Sequence, residues 1–135
     1  MRILVVEPGY APYVKNVDDF GEIDDIVGGE LNICFPFIDK GVAVGYSASA
    51  MAMADAPYNR HIESEMLVSI YGTFVVCGVD KCTFASLTQE QVDEYEDQLW
   101  MAHRIIGYTR DGTPFIATCC PDIKWNAYEA SPGSD

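Results

Sequence analysis

Eleven of the 21 acidic residues of this chain fall in two blocks with no base among them, and each block is threaded with apolar residues at helical spacing. The first block holds Asp18, Asp19, Glu22, Asp24, Asp25 and Glu30; the second holds Glu90, Asp93, Glu94, Glu96 and Asp97. With no Lys or Arg inside either block, the charge has no neutralising partner along the chain, and these segments must keep a solvated face. They fold only as amphipathic elements whose apolar stripe rests on a core. In the first block Phe20, Ile23 and Val27 fall at i, i+3 and i+7. Asp18 or Asp19 caps a short helix there, and Gly28-Gly29 stops it. Glu22, Asp24 and Asp25 then point away from the stripe. In the second block Thr88 and Gln91 make a capping-box pattern, and Glu90 suits the positive N-terminal dipole. Val92, Tyr95, Leu99, Ala102 and Ile106 form a stripe that predicts one long helix, with Glu90, Asp93, Glu94 and Asp97 largely on its other faces.

Most of the remaining segments read as strands. Arg2 to Val6 is a β-branched run ended by Pro8-Gly9, with Tyr13 to Val17 as its antiparallel partner. Two more strands are predicted near 31–35 and 42–46, with a turn at Asp39-Lys40-Gly41 between them. Leu67 to Val76 is rich in Val, Ile, Tyr, Thr and Phe and reads as one strand ended by Gly78. Phe115 to Thr118 follows the turn Arg110-Asp111-Gly112-Thr113 as a last short strand. Residues 47–66 are weakly patterned, and Pro57-Tyr58-Asn59-Arg60 breaks whatever precedes it. Strands early and a long helix late give an α+β fold: a mainly antiparallel sheet with one short and one long helix packed on it.

Of the 135 residues, 49% are hydrophobic and 12% aromatic, which makes the chain globular and not an acidic disordered tail. One domain over 1–128 is expected, with 129–135 a flexible acidic tail. The apolar run at the N-terminus is too short for a signal peptide, and no stretch approaches the roughly 18 apolar residues of a membrane span. A cytoplasmic protein is expected. A net charge of -13 repels nucleic acid and anionic membranes and attracts basic protein surfaces.

No segment fixes a chemistry. The glycines lack the spacing that wraps amides around a phosphate. The five cysteines (Cys34, Cys77, Cys82, Cys119, Cys120) are odd in number and fit no common zinc spacing, so they read as free thiols, and neither metal nor cofactor is expected. Ser47 and Ser49 lack a nucleophile-elbow context, and no base beside Cys119-Cys120 lowers a thiol pKa. His61, preceding Glu63 and Glu65, is an arrangement suited to proton transfer or to metal binding, and a surface or capping histidine is the plainer expectation. His103 beside Arg104 reads as a cation at the end of the long helix. Tyr58, Asn59 and Arg60 group an aromatic plane, an amide and a guanidinium that together suit a base or a phosphate. The plainer expectation for Arg60 is an ion pair with one of the many carboxylates.

Five stretches carry a resemblance: Ile3 to Gly9, Val27-Gly28-Gly29, Pro57-Tyr58-Asn59-Arg60, Gly72 to Gly78, and Phe84 to Thr88. On these, over roughly residues 2 to 100, the chain resembles the uncharacterised family catalogued as domain of unknown function 3846. The segment after the long helix looks peculiar to this chain. The resemblance implies a protein carried by phages and by mobile elements of Gram-positive bacteria, an accessory in the contest with the host. It implies no catalytic residues.

Three functions follow as expectations. The first is a non-enzymatic protein that counters host defence by DNA mimicry, its acidic faces at Asp24, Asp25, Asp93, Glu94 and Asp97 engaging a basic host surface such as a nuclease. The second is a sponge that sequesters a small nucleotide signal through Tyr58, Asn59, Arg60 and His61, with a homodimer interface as one place for it. The third is a small hydrolase using His61 with Glu63 or Glu65.

Overall fold

The computed structural model describes residues 1–62 and 68–124. Its centre is an antiparallel sheet in which β1 (Arg2–Val6), β2 (Tyr13–Asn16), β3 (Asn32–Cys34), β4 (Val42–Tyr46) and β7 (Phe74–Asp80) run in the order β2-β1-β7-β4-β3. A short strand, β8 (Thr83–Ala85), also pairs with β7. Between these lie β5 (Tyr58–Ile62) and β6 (Val68–Tyr71), which among the described residues pair only with each other. A hairpin of β9 (Ala102–Tyr108) and β10 (Pro114–Cys119) follows. The helices are α1 (Phe20–Val27), α2 (Ala48–Met51) and α3 (Gln89–Gln98). The fold is α+β with mainly antiparallel sheets, as strands early and a helix late predict.

The sheet is buried on both sides, and successive residues of one strand face opposite layers. Ile3, Val5, Ala43, Val75 and Cys77 pack with Ile23 and Val27 of α1. Leu4, Val6, Val42, Val44 and Val76 pack instead with Val92, Tyr95 and Leu99 around α3, together with Ile62 and Ile70 from β5 and β6. The two acidic helices therefore clad opposite faces of one sheet.

The caps form as the sequence expects. Asp19 accepts the Glu22 N–H, and Gly28 closes α1 in the left-handed conformation. Thr88 and Gln91 make the reciprocal capping box of α3. Phe20, however, does not join the buried stripe of α1. It is 53% exposed and lies against Phe84, ring centroids 5.0 Å apart.

The structure corrects three expectations. The long helix stops at Leu99, and Ala102 and Ile106 lie on β9. Residues four apart share a face on a helix and on a strand alike, so that part of the stripe could not tell one from the other. The expected single strand at 67–76 is two, because Gly72 takes φ +79 between β6 and β7. Gly78 does not end β7 but lies within it. A Cβ there would sit 2.7 Å from the Ala85 carbonyl oxygen, so only glycine lets β8 approach. Within 47–62, Ser47 caps the one-turn α2, and Tyr58 to Ile62 is a strand where a break was expected.

The segment after α3 is tied back into the fold. Ala11 donates to the Asp122 carbonyl, Asp122 donates to the Gly9 carbonyl, and Lys124 pairs with Glu7 at 3.4 Å. The expected tail at 129–135 lies outside the described residues.

Candidate functional site

Helix α3 presents the densest charge. Glu90, Asp93, Glu94 and Asp97 are all exposed, and their spacing of i, i+3, i+4 and i+7 puts them in one stripe. Gln89 donates to Asp93 at 2.9 Å. Among the described residues, no acid of α1 or α3 is in an ion pair; the ion pair present joins Lys124 and Glu7. Glu96 is half-buried at the edge of the stripe, and burial, then the Asp93 charge, pushes its carboxyl above the usual range. On the other side of the sheet, α1 holds Asp25 exposed and Asp24 half-buried. The five residues expected as one contact thus fall into two groups on opposite faces.

The second feature begins where α3 ends. The pairing of β5 with β6 slips between Tyr58 and Arg60: Tyr58 faces Tyr71, but Arg60 faces Ile70, and Asn59 is the extra residue of a bulge. The bulge lets Asn59 and Arg60 both turn inward, and both are fully buried. The Asn59 amide donates to the carbonyls of Val6 and Gly72 at 2.8 Å each. Arg60 donates to Leu99 O at 3.2 Å, Asn59 O at 3.3 Å, Asn59 Oδ1 at 2.9 Å and Tyr10 O at 2.6 Å. The expected carboxylate partner of Arg60 is replaced by this ring of oxygens. Burial lowers its guanidinium to about 10, which leaves it charged at neutral pH.

Beside Arg60 is a cleft of about 490 Å³, lined by Arg60, His61, Ile62, Gln98, Leu99, Met101, His103, Ile116 and Thr118. His103 is not at a helix end, as expected, but on β9. Its Nδ1 accepts the backbone N–H of His61 at 3.0 Å and so joins β9 to β5 through an imidazole. The His61 ring meets Ser69 Oγ, its cross-strand neighbour, at 3.1 Å. Of the four residues expected to hold a ligand, Arg60 and His61 reach this cleft. Tyr58 packs edge-on against Tyr71, and Asn59 is spent on backbone carbonyls. Glu63 and Glu65, the expected partners of His61, lie outside the described residues. Gln98, Met101, His103, Ile116 and Thr118 were not singled out as ligand contacts from the sequence. The one available signal was the scarcity of histidine, since both histidines of the chain line the cleft.

The five cysteines are unpaired, with Cys77 buried and Cys82 and Cys120 exposed. Among the described residues, no group of three His, Cys, Asp or Glu side chains stands close enough to hold a metal ion. Among them, too, no helix is long and apolar enough to cross a membrane.

A family model described as Domain of unknown function (DUF3846) matches residues 1–99. The chain belongs to this family. The match covers the central sheet, all three helices and the β5–β6 pair, and ends at the residue whose carbonyl Arg60 Nε holds. The β9–β10 hairpin lies beyond it. No curated protein and no solved structure matches the chain.

Proposed function

We propose that this member of the DUF3846 family is a non-enzymatic phage or mobile-element accessory protein of the host cytoplasm, one that counters host defence by binding a basic protein surface, with α3 as the main contact. The observation that carries this reading is the unneutralised stripe on α3. Glu90 to Asp97 covers about 10 Å of axis at about 1.5 Å per residue. Four carboxylates along it give about one charge per 3.5 Å, close to the ~3.4 Å per charge of a single DNA strand. A groove built for a phosphate backbone meets a similar density here.

The stripe also works against its own helix. Glu90 with Asp93 and Glu94, and Asp97 with Asp93 and Glu94, are like charges at i+3 and i+4, which cost a helix about 0.2–0.5 kcal/mol per pair. Asp97 adds a negative charge at the negative end of the dipole, where α3 has no basic residue. A local rule broken without local gain points to a demand from outside the fold.

The test is a pull-down from host lysate with tagged protein, washed at low and then high salt. Screening acts within about 8 Å at physiological ionic strength, so a partner held by this stripe should leave at high salt. Asp93→Lys with Asp97→Lys should abolish capture, whereas Asp25→Lys on the opposite face should leave it intact. Capture unchanged by the α3 reversal would refute the assignment.

A further inference from the structure

The cleft between β5, β9 and the end of α3 gathers basic groups in an otherwise acidic molecule. The chain carries 21 acidic residues against eight basic ones. Yet among the described residues no carboxylate lines this cleft, while the fully buried Arg60 and both histidines do. Arg60 holds its charge among carbonyl and amide oxygens, with no ion-pair partner among the described residues. A formal positive charge under a protein-lined cleft, where the dielectric is well below that of water, attracts an anion far more strongly than an exposed lysine would. The walls complete a binding site of ordinary make-up, with a few polar groups set among apolar ones. Gln98 and Thr118 bring an amide and a hydroxyl, and Ile62, Leu99, Met101 and Ile116 supply the apolar surface.

From this we infer that the cleft is a binding site for a small phosphate monoester, its phosphate drawn toward the Arg60, His61 and His103 side and its organic body against Leu99, Met101 and Ile116. The cavity of about 490 Å³ is within the range of small-ligand sites and admits a mononucleotide. Arg60 is sealed beneath the surface and acts through its field, while the His61 imidazole, Gln98 and Thr118 are the groups a ligand would touch. The site is separate from the α3 stripe, and either can stand without the other. It differs from a site at Tyr58 and Asn59 in drawing six of its nine described lining residues from after 97.

The two histidines make the test direct, because imidazole carbon-proton spectra of the whole chain hold signals from His61 and His103 alone. Adenosine 5′-monophosphate, adenosine and inorganic phosphate are titrated separately into the protein. The expected result is a saturable shift of both imidazoles by the monophosphate with a Kd below about 1 mM, a weaker effect of phosphate and none of adenosine. The double variant Gln98→Ala with Thr118→Val should keep the dispersed spectrum of the folded chain and weaken monophosphate binding about tenfold, the loss of about 1.4 kcal/mol. No saturable shift with the monophosphate would overturn the inference. So would a shift as large with adenosine, which would make the phosphate irrelevant, or equal affinity for inorganic phosphate, which would make the organic body irrelevant.

Discussion

Asp97 and Gln98 are neighbours on α3, yet they belong to opposite electrostatic settings. Up to Asp97 the helix carries a row of carboxylates in open solvent. From Gln98 onward it borders a cleft whose buried charge, among the described residues, is positive. The two settings are maintained by different means. In water the exposed acids repel each other weakly, at about 1 kcal/mol for unit charges 4 Å apart, and need no partners to stand. The guanidinium of Arg60 stands in a medium where an uncompensated charge is intolerable, and it is held by four oxygens supplied by three separate segments. Surface charge is therefore cheap to rearrange here, and interior charge is not.

That contrast can be broken by experiment, most severely at Arg60. Arg60→Met should fill much of the volume but leave the carbonyls of Leu99 and Tyr10 and the Asn59 side-chain oxygen without donors. At about 1–3 kcal/mol for each buried group left unsatisfied, a loss of at least about 3 kcal/mol is expected by urea denaturation. A loss below about 1 kcal/mol would mean that the interior charge is dispensable.

The same intolerance shows without mutation at Cys77, where burial pushes the thiol from 9.0 up to about 12. Between these values the unfolded chain has released the proton and the folded chain has not, so unfolding is favoured as pH rises. The contribution of this thiol is whole below pH 9 and falls progressively toward pH 12. Urea midpoints measured from pH 8 to 11 should fall, and should fall less in Cys77→Ala after allowance for its lower starting stability.

Smaller effects are expected on the solvent side. Thr88→Ala removes one half of the capping box and should cost about 1 kcal/mol. Asp97→Lys relieves two like-charge contacts and complements the dipole, so it should raise stability by about 0.5 kcal/mol, a gain that shrinks in high salt. A destabilising Asp97→Lys would show that the carboxylate serves the fold itself, and would remove the main support for an external partner.

What could be read from the sequence was whatever rests on neighbours along the chain. The β1–β2 hairpin, β4, the caps of α1 and the capping box of α3 each depend on a few consecutive residues, and each formed where the pattern placed it. The end of α3 was hidden because Ala102 and Ile106 keep the same spacing on either type of element. The bulge at Asn59 was hidden because it exists only relative to β6. Arg60 read as the partner of a carboxylate since nothing near it in sequence shows that Tyr10 and Leu99 offer carbonyls. The cleft joins residues near 60, 100 and 117, and it could not be assembled before the strands were paired.

The placement of α1 and α3 on opposite faces of one sheet bears on stoichiometry. A rigid, flat partner can cover one stripe and not the other, so a complex of one basic molecule per chain leaves half of the acidic surface in solvent. If both faces are competent, each chain is divalent, and a partner with two basic patches would be crosslinked into chains of alternating molecules. Light scattering during a titration then distinguishes the cases: with such a partner, turbidity that peaks near equivalence and clears in excess marks two working faces, and a single clear plateau marks one.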